Sequence, residues 1–259
     1  NAQASIYDFE SDNNTGSPKI LGESKGDNPH SISKFVSGLE DVPLKVGEQK
    51  KVTLPVQAPS NAVPGAYYGI IRYKAVPAGA NAPAPGEVSL SASVGTIVLI
   101  SVPGNVKEQV QLTGLHVYKD TTDATLFFDK PNKAGVEIKN LGNGFVKPFG
   151  TVEINNMAGK KIYSYQLNNT NPRATILPNS SRIFTDAIKN ISGPGRYTVT
   201  ASVSYGTGSQ VLTLKKTFWY IPLWLAGIIL AVLLLLVLLA YLAYRRYRRD
   251  RKRAYKRRG

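Results

Sequence analysis

The chain has 259 residues, a formal net charge of +15, 42% apolar residues and no cysteine. That length holds one large domain or two modest ones, and the missing cysteine excludes a disulfide framework and any thiolate metal or redox centre. Both the apolar residues and the charge are unevenly placed: residues 245–259 carry ten Lys and Arg against one acid, and no charged residue occurs from Thr217 to Tyr244.

Asn1 opens the chain without a Met or a cleavable apolar segment, and "QASIYDFE" reads as a strand at once. An exported protein needs a signal, so the numbering is expected to begin inside a domain whose earlier strands lie upstream. Asp8, Glu10 and Asp12 alternate and would share one face of that strand. They lack the glycine and closing glutamate of a calcium-binding EF-hand loop and read as an exposed polar face; Asp120, Asp123 and Asp129 read the same way. No metal site is expected.

Period-two alternation, the mark of a half-buried strand, recurs along the first 217 residues. Its instances include "KVTLPV" (Val52, Leu54, Val56), "YYGIIRYKAV", "VSLSASV", "GTIVLISV", "VQLTGLHVY", "ATLFF", "GVEIKN", "GTVEIN", "KIYSYQL", "SRIF" and "VLTLKKTF". In "RYTVTASVSY" one face takes Tyr197, Val199, Ala201, Val203 and Tyr205, and the other takes Thr198, Thr200, Ser202 and Ser204. Turn signals such as "APSNAVPG", "NLGNG", "NNMAGK" and "LPNSS" separate the runs. No helical period of useful length precedes residue 217. The expected fold is all-β: two immunoglobulin-like β-sandwiches, at 1–105 and 106–217, then a transmembrane helix at 218–244 and a basic tail at 245–259.

Within this frame Tyr67 and Tyr68 should lie on opposite strand faces, one in the core and one exposed. "PAGANAPAPGE" (77–87) is expected to be an exposed loop. His30 falls in a polar loop and His116 in an alternating run; no G-x-S-x-G elbow accompanies them, and "GTGS" opens no helix that could cradle a phosphate. Neither an enzymatic activity nor a cofactor is implied. Asn13, Asn168, Asn179 and Asn190 open N-x-S/T sequons, which matter only in a eukaryotic secretory pathway.

A helix over Leu223 to Ala243 would be about 30 Å long, the thickness of the hydrocarbon core. Trp219, Tyr220 and Trp224 are expected at its outer interface, and Tyr241, Tyr244 and Tyr247 at its inner one, as an aromatic belt. Arg245, Arg246, Arg248, Arg249, Arg251, Lys252 and Arg253 follow directly. Cations hold the flank that carries them in the cytoplasm, so the tail is expected inside and the β units outside, in a single-pass arrangement at the cell membrane. Those cations meet anionic lipid headgroups in preference to nucleic acid, and the bilayer is the first partner implied. Ala226, Gly227, Ala231 and Ala240 offer a modest helix-packing face.

"LEDVPLKVGEQKKVTLPVQAPSNAVPGAYYGIIRYKAV" followed by "VGTIVLISVPG" resembles the first domain of bacterial WxL-interacting surface proteins. The matching positions are Gly47, Glu48, Lys50 and Val52, then Pro59, Ala62, Pro64, Gly65, Tyr67 or Tyr68, and Gly69. The second half is similar to that family's membrane-proximal domain through Asn140, Gly142 and Asn143, through "AGKKI" and "LPNSSRIF", and through "GRYTVTASVSYG". Against that family, the opening strands are expected to lie upstream of Asn1, and the 259 residues given are short. The resemblance implies a bacterial envelope protein whose first domain is associated with peptidoglycan and whose second engages a surface protein or host ligand. Two further readings follow from the residues: a structural component in which strands of one copy complete another, and an accessory subunit of a membrane complex.

Overall fold

The computed structural model describes residues 1–45, 47–76, 92–206 and 210–256, with side chains through Arg246. Among the described residues, one C-terminal helix accompanies an otherwise all-β architecture. The first unit contains β1 (Ala2–Ser11), β2 (Pro18–Glu23), β3 (Gly65–Ala75) and β4 (Ser93–Val102), an antiparallel sheet in the order β2-β1-β3-β4. A register shift in β1 between Asp8 and Phe9 breaks the strict alternation, so that these two consecutive residues are both buried.

One face of this sheet is covered by segment 24–64, whose described residues form no strand beyond isolated bridges and whose Ile32, Phe35 and Val42 are buried. Gly69 makes that layer possible: a Cβ there would lie 2.6 Å from the Ile32 side chain, nearer than atoms can approach. On the other face Phe9, Tyr68 and Ile70 pack with Leu177 and Phe145 of the second unit. The first unit is therefore layered with one sheet. The strand expected at "KVTLPV" is replaced by a single bridge, Val36 to Val56, and Val52 and Val56 remain 41% and 52% exposed. Alternation alone does not make a strand when no neighbouring strand is left to complete its hydrogen bonds.

The second unit packs two sheets face to face. Its strands are β5 (Val110–Lys119), β6 (Thr122–Asp123), β7 (Leu126–Phe127), β8 (Lys133–Asn140), β9 (Phe149–Asn155), β10 (Lys161–Leu167), β11 (Ser181–Ala187), β12 (Gly195–Tyr205) and β13 (Gln210–Tyr220). The sheets run β10-β9-β12-β13-β7 and β11-β8-β5-β6; among the described strand pairs of this unit, β13 and β7 alone run parallel. Alternation in β12 is realised as expected: Tyr197, Val199, Ala201, Val203 and Tyr205 are buried against Val117, Val136, Ile138 and Phe218. Each such aliphatic side chain contributes roughly 1.5–3 kcal/mol by leaving water.

β13 runs past residue 217, the expected end of this unit, to Tyr220, and helix α1 (Leu223–Lys256) starts after only Ile221 and Pro222. The link is pinned at both ends. Trp219 N–H donates to Thr125 O and Ile221 N–H to Phe127 O, while Pro222, whose missing N–H costs nothing at a helix start, accepts from the N–H groups of Leu225 and Ala226. The helix thus begins at Leu223 rather than 218 and continues without interruption into the basic segment expected as a separate tail.

Candidate functional site

The membrane anchor is one candidate site. Leu223–Arg246 is long and apolar enough to cross a bilayer, and none of it is buried inside the protein. Trp219 and Trp224 are 46% and 63% exposed at its N-terminal end, and Tyr241 and Tyr244 are exposed near its C-terminal end. Tyr220 is the exception. It is 7% exposed and belongs to the second unit's core, because β13 alternation turns Phe218 and Tyr220 inward and Trp219 outward. Tyr220 is a packing residue and does not join the aromatic belt. Arg245 and Arg246 are exposed; Arg248, Arg249, Arg251, Lys252 and Arg253 lie on α1, and their side chains, with that of Tyr247, lie outside the described residues.

The second candidate is a cleft of about 600 Å³ where the two units meet, within the range of small-ligand sites. β10 and β11 are edge strands of the two facing sheets, and the cleft is the open side of the sandwich between them. Its base holds buried Leu167 with half-buried Tyr165 and Phe184; its rim holds Asn14, Gln166 and Asn169. The β1–β2 turn closes one end. Ser181 N–H donates to Asn13 Oδ1 at 3.0 Å and Ile183 N–H to Asn14 O at 2.7 Å.

This turn is organised by Asp12, whose carboxylate accepts from the Thr15 hydroxyl and from the N–H groups of Asn14 and Gly16. The Thr15 bond above all, joined by those amides and opposed by desolvation, holds the Asp12 pKa down at about 2. Gly16 has φ +77°, a conformation that L side chains rarely adopt, and a Cβ there would press on the Arg182 side chain, which would have to shift. A further tie between the units runs through Asn143: its carbonyl accepts from Ala66 N–H at 2.9 Å, its Nδ2 donates to Pro64 O at 3.1 Å, and its Oδ1 accepts from Lys107 N–H at 2.7 Å.

The remaining sequence candidates are dispersed. Asp8 is buried at the bulge, Glu10 pairs with Lys19 at 2.8 Å and Asp12 organises its turn, so the three acids do not share one exposed face. Tyr68 is buried, and burial first, then Glu10 and Asp8, push its phenol pKa up. Tyr67 is half-buried rather than displayed, with its ring 4.4 Å from that of Phe35 and its hydroxyl donating to Val63 O. His30 shares a 2.8 Å hydrogen bond with Ala66 O and stacks on Tyr68. His116 lies 2.7 Å from Asp123 and 3.5 Å from Glu137. Burial opposes ionisation of Asp123, but the His116 bond, the Val117 N–H and Lys216 together lower its pKa. Asp120 pairs with Lys119 and Asn132, and Asp129 is exposed. The loop at 77–87 lies outside the described residues.

No family model matches the chain, and neither does any curated protein. Among solved structures it is similar to the C-terminal domain of Wzt, at 9% identity and a TM-score of 0.31 over 45% of this chain and 75% of that one. It is also similar to a Parabacteroides merdae β-glucuronidase, at 19% identity and a TM-score of 0.28 over 48% of this chain and 14% of that one.

Proposed function

We propose that this is a non-catalytic, single-pass surface protein of the bacterial envelope. Its β units stand outside the membrane and its basic end lies in the cytoplasm. The second unit's two facing sheets accord with an immunoglobulin-like sandwich, and the units serve as a binding or scaffolding surface for peptidoglycan or another surface protein. The observation that carries the reading is the anchor: an uncharged span leaves β13 after two residues and ends in a one-sided run of cations. With so short a link, any ligand is met close to the bilayer. Sedimentation of the detergent-solubilised full chain with purified peptidoglycan sacculi tests the wall-binding arm; retention that soluble muropeptides compete away is expected, and a chain left wholly in the supernatant would exclude it.

A second reading, assembly by strand exchange between copies, is favoured by β4. Among the described residues this strand is an edge of its sheet; it carries no charge, proline or register shift along Ser93–Val102, and Val94, Ile97 and Leu99 are exposed on it. Edges are ordinarily guarded by such features. Cross-linking through single cysteines in β4 would give covalent dimers on this reading and monomers otherwise.

A further inference from the structure

We propose that the cleft between β10 and β11 receives an extended peptide segment of a partner protein, added as a new strand on the free edge of β11. The inference rests on the reading of the β units as a binding surface and names the class of ligand for one part of it.

The edge is already half used. Backbone groups alternate along a strand, so the N–H groups of Ser181, Ile183, Thr185 and Ala187 all turn away from β8. The β1–β2 turn takes the first two, through Asn13 Oδ1 and Asn14 O, and Asp186 Oδ1 accepts from Ala187 N–H at 2.7 Å. The N–H of Thr185 and the outward carbonyls of Ile183, Thr185 and Ala187 are left, and nothing among the described residues pairs with them. Those of Thr185 sit on the rim of the cleft, where Asn14 ends the run of bonds that an incoming strand would continue. Strand addition supplies main-chain bonds at such a rung and places alternate side chains to one side. Here that side is the apolar base formed by Tyr165, Leu167 and Phe184. The side-chain amides of Asn14, Gln166 and Asn169 make no hydrogen bond among the described residues and stand ready for a peptide's flanking polar groups.

The aromatic rings argue against a sugar. Stacking needs an open ring face, but Phe184 carries the Arg182 guanidinium at 5.3 Å from its centroid. Tyr165 is turned toward Tyr163, and its hydroxyl donates to Ala134 O. Unused main-chain groups and an apolar base suit a peptide with small or medium apolar residues at alternate positions.

The test uses the full chain in lipid nanodiscs and a displayed library of linear twelve-residue peptides. Selected peptides are resynthesised with single N-methyl amides walked along the backbone. The expected result is a loss of affinity of about tenfold or more at positions of one parity only, the size of one to two backbone hydrogen bonds, and a similar loss for Thr185→Pro, a substitution an edge strand accepts. The N-methyl walk needs no protein variant and stands even if Thr185→Pro fails to fold. A library yielding no binder, N-methylation without parity, or a chitooligosaccharide that protects the Thr185 amide from hydrogen exchange where no peptide does would overturn the proposal. Sedimentation with sacculi, measured on the same preparations, reports on the broader reading separately.

Discussion

Asn13, Asn168, Asn179 and Asn190 hold φ values between 54° and 65°, in the left-handed region where a short amide side chain is tolerated far better than a branched one. Backbone geometry gives a physical reason for asparagine at each position, which the sequon pattern does not. Asn168 shows the economy of such a site, with Nδ2 donating to Pro148 O and Ala174 O while Oδ1 accepts from Ala174 N–H. Asn140 does the same in the core: fully buried, it donates to the carbonyls of Gly144, Ile176 and Leu177 and accepts from Gly142 N–H. Replacing it with Leu strands those groups, and Asn140→Leu is expected to lower unfolding stability by roughly 3 kcal/mol, measured by urea denaturation of the solubilised chain. Asp12 yields a pH prediction. Its folded pKa is depressed to about 2, so its contribution is complete above its ordinary pKa near 3.8 and is lost as pH falls through about 2. Hydrogen exchange at the Ser181 and Ile183 amides, corrected for intrinsic rates, should accelerate over that interval and in Asp12→Ala at neutral pH; unchanged protection would show that the turn docks without its carboxylate.

At the scale of elements, strands with two neighbours could be read from the chain, whereas strands whose partners the sequence does not reveal could not. β12 alternates cleanly and lies between β9 and β13. "KVTLPV" alternates equally well and stays irregular, since periodicity reports which side chains could share a face and says nothing of whether another backbone is available. The same blindness misassigned Tyr220. Next to an apolar span an aromatic residue suggests the interface, but β13 extends three residues beyond 217 and its parity sends Tyr220 inward. Tyr220→Ala should therefore cost about 3 kcal/mol or more of folding stability, as large aromatic truncations do, and Trp219→Ala less than about 1 kcal/mol, compared in the same urea titration. Equal effects would return Tyr220 to the interface.

For the whole molecule, composition and charge order reveal the helix able to span a membrane, because lipid and water differ so greatly as solvents that twenty-odd apolar residues stand out in sequence. The cleft could not be seen in this way. It forms because the turn after β1 reaches β11, contacts separated by 168 positions in sequence, and no local pattern records such a meeting. Joined by Asn143, by the turn at Asp12 and by the shared packing of Tyr68 with Leu177 and Phe145, the two units and the strand that feeds the membrane helix are physically continuous. The proposed orientation sets both units outside the membrane and the basic end inside, and the absence of cysteine from the sequence makes that arrangement directly measurable. Single cysteines at Lys160, exposed in the β9–β10 turn, and at Lys252 should react differently with a membrane-impermeant maleimide on intact cells. Lys160→Cys is expected to label at once and Lys252→Cys only after permeabilisation; the reverse pattern, or equal labelling of both on sealed cells, would contradict the account.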